Sequence, residues 1–123
     1  MHSIGLDVVD TERILKNLNR FGDRFARRIL GPEEWRVFST RRNRHEFLAG
    51  RFACKEAVIK ALGRFLTDRP RLVDIEITND NSGQPVLHLP PEIKARLTGH
   101  SWMVSISHEK KMAAAVAVIL EDK

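Results

Sequence analysis

From about Glu46 to Leu62 the chain runs without proline, carries Leu48, Phe52 and Ile59 along one helical arc, and stops at Gly63. In a chain of 123 residues, a helix of that length is the element around which the others must pack. The size suits one domain over residues 1–123, and folding at this size removes roughly two-thirds of the unfolded chain's accessible surface. Staples are not needed to reach a core.

The segments on either side are shorter and of two kinds. His2, Ile4, Leu6 and Val8 alternate with Ser3, Gly5, Asp7 and Val9, the period of a strand with its Leu6 side buried and Asp7 turned away. Asp10 caps a helix carrying Ile14, Leu15, Leu18 and Phe21, and Gly22-Asp23 breaks it. A short helix with Phe25 and Ile29 inward follows. Gly31-Pro32-Glu33-Glu34 then stops one helix and starts another, its glutamates suited to the N-terminal dipole. Beyond Gly63 the period changes. Val73, Ile75 and Ile77 alternate, Asn79 to Pro85 supplies turn chemistry, and Val86 to Leu89 returns as a second strand. Pro90-Pro91 opens a short helix, and two strands, Trp102 to Ser107 and Met112 to Leu120, complete the chain. The order predicts an α+β fold, a mostly antiparallel sheet packed by helices around one long central helix.

Charge narrows the partners. The formal net charge is +5, yet between Arg13 and Arg51 eleven Lys or Arg face only four acids, so one third of the chain carries the positive field. Aromatics are 7% with no tyrosine, which argues against a base-stacking nucleic-acid module. An acidic protein or a polyphosphate fits the patch. Cys54 is the single cysteine, which excludes an internal disulfide framework and a cysteine-based zinc site. With no secretion signal and no apolar run of membrane-spanning length, a cytoplasmic location is expected, without membrane association.

Within the long helix, Glu56 falls between the apolar arc and the small residues Ala49, Ala53 and Gly63, at the border of the core. A carboxylate there is costly unless paired or holding a cation. Lys60 lies one turn on, so an ordinary i,i+4 ion pair accounts for both residues by spacing alone. Asp7 offers a second account, because Gly5-Leu6-Asp7 lets a strand backbone approach the small-residue flank of the helix. Magnesium takes one or two protein carboxylates and fills its remaining positions with water and phosphate oxygens. Asp7 and Glu56 would suffice. Lys55 is unexplained by this helix wheel: it falls on the apolar arc, to snorkel or to bind phosphate.

Three stretches carry a resemblance: Ile4-Gly5-Leu6-Asp7 followed by Glu12-Arg13-Ile14; Phe47 to Gly63 with its Lys55-Glu56 and Lys60; and Val104-Ser105-Ile106-Ser107-His108. Together, in this order, they closely resemble the holo-[acyl-carrier-protein] synthases, the small stand-alone 4′-phosphopantetheinyl transferases, nearly end to end. The resemblance implies transfer of the phosphopantetheine arm of coenzyme A to a serine of apo-acyl carrier protein, in fatty acid biosynthesis, releasing adenosine 3′,5′-bisphosphate. It implies Mg²⁺ held by Asp7 and Glu56, Lys60 on the diphosphate, and a serine proton taken by Glu56 or by a metal-bound water. His108 matches a histidine near the phosphates; without the motif it reads as a surface residue at a strand end. Arg51 and Arg44 become contacts for the 3′-phosphate, against a plain reading as solvated charges at a helix start. Gly83 and Pro85 match a loop beside the nucleotide, although a hairpin turn needs no ligand. Arg13, Arg20, Arg24 and Arg28 become the docking face for the acidic carrier protein. The family's homotrimer, with active sites between subunits, is implied as well. One departure stands out: many relatives follow the helix with a small Gly-Thr-Gly-like turn, where this chain has Gly63-Arg64-Phe65-Leu66, whose bulk bears on the local loop and the shape of the coenzyme pocket. The competing function, from charge alone, is a non-catalytic basic module for nucleic acid or an acidic protein.

Overall fold

The computed structural model describes residues 1–123. Its elements run β1 (Ser3–Asp10), α1 (Thr11–Phe21), α2 (Asp23–Arg27), α3 (Pro32–Phe38), α4 (Arg44–Leu62), a 3₁₀ turn (Leu72–Asp74), β2 (Glu76–Asn79), β3 (Pro85–His88), α5 (Pro91–Arg96), β4 (His100–His108) and β5 (Met112–Glu121). β1, β5 and β4 form one antiparallel sheet in that order, and β2 and β3 form a separate hairpin. This is the expected α+β arrangement, with α4 lying across the sheet. No helix is long and apolar enough to cross a membrane.

Local signals explain most of the boundaries. The Asp10 carboxylate accepts from the Glu12 backbone N–H at 2.9 Å and starts α1. Pro32 opens α3, and the Glu34 side chain reaches back to the Gly31 N–H at 2.9 Å. In the hairpin loop, Asp80 accepts from the N–H groups of Ser82 and Gln84, and Gly83 takes φ +87°, a conformation that side chains disfavour. The strand expected from Val73 begins later, at Glu76. An Arg71–Asp74 ion pair at 3.1 Å closes the preceding turn instead.

β1 alternates as expected, but in the opposite sense. Ser3, Gly5 and Val9 face α4, whereas Leu6 is 59% exposed and Ile4 and Val8 are exposed beside it. Backbone approach decides this. A Cβ at Gly5 would collide with the carbonyl of Ala57 and lie 2.8 Å from the Ala61 nitrogen, and the Ser3 hydroxyl donates to the Ala61 carbonyl at 2.7 Å. The close approach of Gly5 to a small-residue flank of α4 therefore forms, through Ala57 and Ala61 rather than through Ala49 and Ala53. As a result Asp7 is on the helix side.

β5 lays Ala113, Ala115, Ala117 and Ile119 under α4, which contributes Ala53, Ala57, Val58, Ala61 and Leu62 to the same core. Small residues on both surfaces bring helix and sheet close together. Lys55 is fully buried beside them, and neither snorkels nor faces a phosphate site. Its ammonium donates to the carbonyls of Ile29 and Leu72 and to Glu34, whose other oxygen accepts from the Ile77 N–H at 2.9 Å. Glu34 is buried too, so besides capping the N-terminus of α3 it serves as a tie between α3, α4 and β2.

Candidate active site

Two clefts flank α4, and no residue lines both. The first, of about 380 Å³, is lined by Asp7 and Asp10 of β1, Arg13 and Asn17 of α1, and Phe52 and Glu56 of α4. Asp7 and Glu56 therefore share one opening. Their side chains are 19% and 18% exposed, so each carboxylate is largely withdrawn from water. Each has a cation. Lys60 Nζ lies 3.1 Å from Asp7 Oδ1 and 2.9 Å from the Leu6 carbonyl, while Arg69 Nη2 lies 2.7 and 2.8 Å from the two Glu56 oxygens. The i,i+4 pair between Glu56 and Lys60 does not form; Lys60 reaches across to β1.

This donor set fits a hard divalent ion. Asp7 and Glu56 give two largely buried carboxylates on one cleft, while the third acid there, Asp10, already caps α1. Magnesium works with such a set, whereas structural zinc asks for four nitrogen or sulfur donors.

The second cleft, of about 430 Å³, brings together Arg51, His108, Gly83 and Pro85 and adds Arg41 and Asn79. Arg51 is 6% exposed. It donates to Asn79 Oδ1 at 3.3 Å and stacks on Phe47 at 4.5 Å, but its buried Nε has no partner. A buried unpaired donor is costly, and an anion in this cleft would satisfy it. His108 packs over Gly50, where a Cβ would lie 2.7 Å from the imidazole Nε2. Burial first, and then the Arg51 charge, hold its pKa below the ordinary imidazole value. Arg44 is outside this cleft. It pairs with Asp23 at 3.0 Å and stacks on Phe38 at 4.2 Å.

Arg41, Asn79, Gly50 and Arg69 join the sites although the sequence reading passed over them. Gly50 had a legible signal, a glycine within a helix. Arg41 lay in a polar run with nothing to set it apart from its neighbours.

The basic helices continue the first cleft. A hollow of about 220 Å³ lies between Arg24, Arg28, Phe21 and Phe25, sharing Asn17 and Phe25 with that cleft. Arg20 stacks on the half-exposed Phe21 at 5.1 Å. Of the four arginines expected on one face, Arg13 borders the carboxylate cleft, Arg24 and Arg28 border the hollow, and Arg20 flanks it. The Arg64-Phe65-Leu66 departure leaves both clefts open: Phe65 meets His100 edge-on at 5.0 Å, and Leu66 packs against the core.

Residues 3–118 match the model of the 4′-phosphopantetheinyl transferase superfamily. The chain belongs to this superfamily. Among curated relatives, a holo-[acyl-carrier-protein] synthase of Nitratidesulfovibrio vulgaris is 44% identical over 119 residues, covering 94% of this chain and 95% of its own. Among solved structures, a holo-[acyl-carrier-protein] synthase of Bacillus anthracis in complex with CoA (3′,5′-ADP) aligns with TM-score 0.80 at 38% identity, over 98% of this chain and 96% of that one. The synthase of Neisseria meningitidis aligns with TM-score 0.86 at 34% identity, over 97% and 98%. The chain is thus similar to these synthases along almost its whole length.

Proposed function

We propose that this chain is a holo-[acyl-carrier-protein] synthase: it transfers 4′-phosphopantetheine from coenzyme A to a serine of apo-acyl carrier protein. The reaction releases adenosine 3′,5′-bisphosphate and serves fatty acid biosynthesis in the cytoplasm. The observation that carries this reading is the single cleft lined by Asp7 and Glu56, continuous with the arginine face of α1 and α2.

Asp7 and Glu56 are the residues that would hold Mg²⁺, and the ion would supply neutralisation of charge on the coenzyme A diphosphate. Lys60 adds a fixed point charge beside them. Arg51 and His108, with Gly83, Pro85 and Arg41 lining the same cleft, receive the nucleotide phosphates; the unpartnered Nε of Arg51 supports an anion there. Arg44 is a further contact for the 3′-phosphate once it leaves Asp23. The carrier serine oxygen bonds to the phosphorus of the phosphopantetheine arm while the bond to the bisphosphate breaks. The serine proton passes to Glu56 or to water in the same cleft. Arg13, Arg20, Arg24 and Arg28 dock the acidic carrier and set its association rate and salt sensitivity.

The working form is a homotrimer with active sites between subunits. Two features support it. Ile4, Leu6, Val8 and Met103 leave one face of the sheet apolar and exposed. Arg51 and Glu56, five residues apart on α4, point about 140° away from each other, so one coenzyme A can meet Arg51 of one subunit and Glu56 of the next.

Intact-mass spectrometry of apo-acyl carrier protein incubated with the protein, coenzyme A and Mg²⁺ tests the assignment. The carrier gains one phosphopantetheine, and Glu56→Gln abolishes the gain while the melting temperature holds. A carrier left unmodified by the parent protein rejects the transferase, and a fully active Glu56→Gln protein rejects the role of Glu56. A non-catalytic basic module would be indifferent to that substitution.

A further inference from the structure

Arg69 stands in an unusual position. It comes from the segment after α4, is exposed, and has no polar partner except Glu56. One guanidinium nitrogen lies almost equally far from both carboxylate oxygens, 2.7 and 2.8 Å, which is where a cation shared by the two oxygens would sit. Lys60, by contrast, is rooted in α4 and tied to both Asp7 and the Leu6 carbonyl. Residues Thr67 to Pro70 make no backbone hydrogen bonds, so little holds the Arg69 backbone in place. The same segment borders a hollow of about 280 Å³ beside Ile59 and Gly63, open space into which the side chain can swing.

We propose that Arg69 is an exchangeable counter-ion for Glu56: it covers the carboxylate in the free protein, competes there with the divalent ion, and moves to the diphosphate when coenzyme A arrives. The inference rests on the assignment of Glu56 as a metal-holding residue. Its chemistry is that of charge balance. A carboxylate this far withdrawn from water needs a cation at all times, and a guanidinium can leave a carboxylate for phosphate oxygens because its planar donor fork suits both. Arg69 is therefore a positioning residue. It holds the Glu56 carboxylate in place through both oxygens, and it couples metal affinity to the presence of substrate.

The test measures Mn²⁺ binding to the full chain by electron paramagnetic resonance, without and then with coenzyme A. Arg69→Gln should bind Mn²⁺ alone roughly fivefold more tightly than the parent, the size expected from releasing one partly exposed ion pair. It should also bind coenzyme A more weakly in the presence of Mn²⁺. Glu56→Gln should lose Mn²⁺ binding. If Arg69→Gln leaves Mn²⁺ affinity unchanged or lower while Glu56→Gln loses it, the exchange is overturned and the metal assignment survives. If Glu56→Gln binds Mn²⁺ like the parent, the metal assignment itself fails and the exchange with it. Absence of Mn²⁺ binding from both the parent and Arg69→Gln also overturns the exchange, since no masked site is then uncovered.

Discussion

Lys55 shows how one residue can be conspicuous in a sequence and still be misread. Its place on the apolar arc of α4 left only snorkelling or a phosphate as partner, because Glu34 lies 21 positions away and nothing local links the two. Burial pushes the Glu34 carboxyl up and the Lys55 ammonium down, and each charge opposes the shift of the other. Removing one partner strands the other: Lys55→Met should cost about 3 to 5 kcal/mol in urea unfolding, and the double variant Glu34→Gln/Lys55→Met should recover part of it. His108 makes a different prediction. Its folded pKa is depressed, so its contribution to stability is present at neutral pH and lost as pH falls through the folded value. A bound phosphate reverses the preference. Adenosine 3′,5′-bisphosphate should therefore bind more tightly from about pH 8 down to about pH 6, with proton uptake visible as a buffer-dependent calorimetric enthalpy. His108→Gln should lose both effects.

Two glycines set what α4 can do as an element. Gly5 lets β1 rest on the Ala57 and Ala61 backbone, and that contact carries Asp7 to the cleft of Glu56. Gly5→Ala forces backbone apart, so we expect a loss of at least about 1 to 3 kcal/mol in thermal or urea unfolding. Gly50 does something else, making room for an imidazole rather than for a strand. Gly50→Ala improves helix propensity by roughly 0.5 to 1 kcal/mol, yet should displace His108. The expected result is an unchanged or higher melting temperature together with a raised KM for coenzyme A. Periodicity marked the helix and its small-residue flank, but not which strand backbone would meet it. A wheel gives directions around an axis, not the partner lying along each.

At the scale of the molecule, the feature that stands out is the apolar outer face of the sheet. The alternation of β1 was legible, and by hydrophobicity alone Ile4, Leu6 and Val8 belonged inside. The inner side instead goes to Ser3, Gly5 and Val9, because α4 demands close approach, and the larger apolar side chains are left outside. Contiguous exposed apolar surface marks an association site. If the proposed homotrimer forms through this face, Leu6→Asp should lower the mass in light scattering to that of a monomer with its helical circular dichroism intact, and an assembly that survives would remove this face from the interface.

The sequence by itself determined what depends on neighbours along the chain: the long helix and its glycine stop, the Asp10 cap, the hairpin turn and the antiparallel α+β order. Only the tertiary structure decided what depends on distant segments meeting: which face of β1 turns inward, that Lys60 serves Asp7 while Arg69 serves Glu56, and that Lys55 is tied to Glu34. The physical reason is the range of the forces. Propensity, capping and periodicity act over a few residues, whereas the pairing of a buried charge is settled by whichever opposite charge the packed core brings within reach.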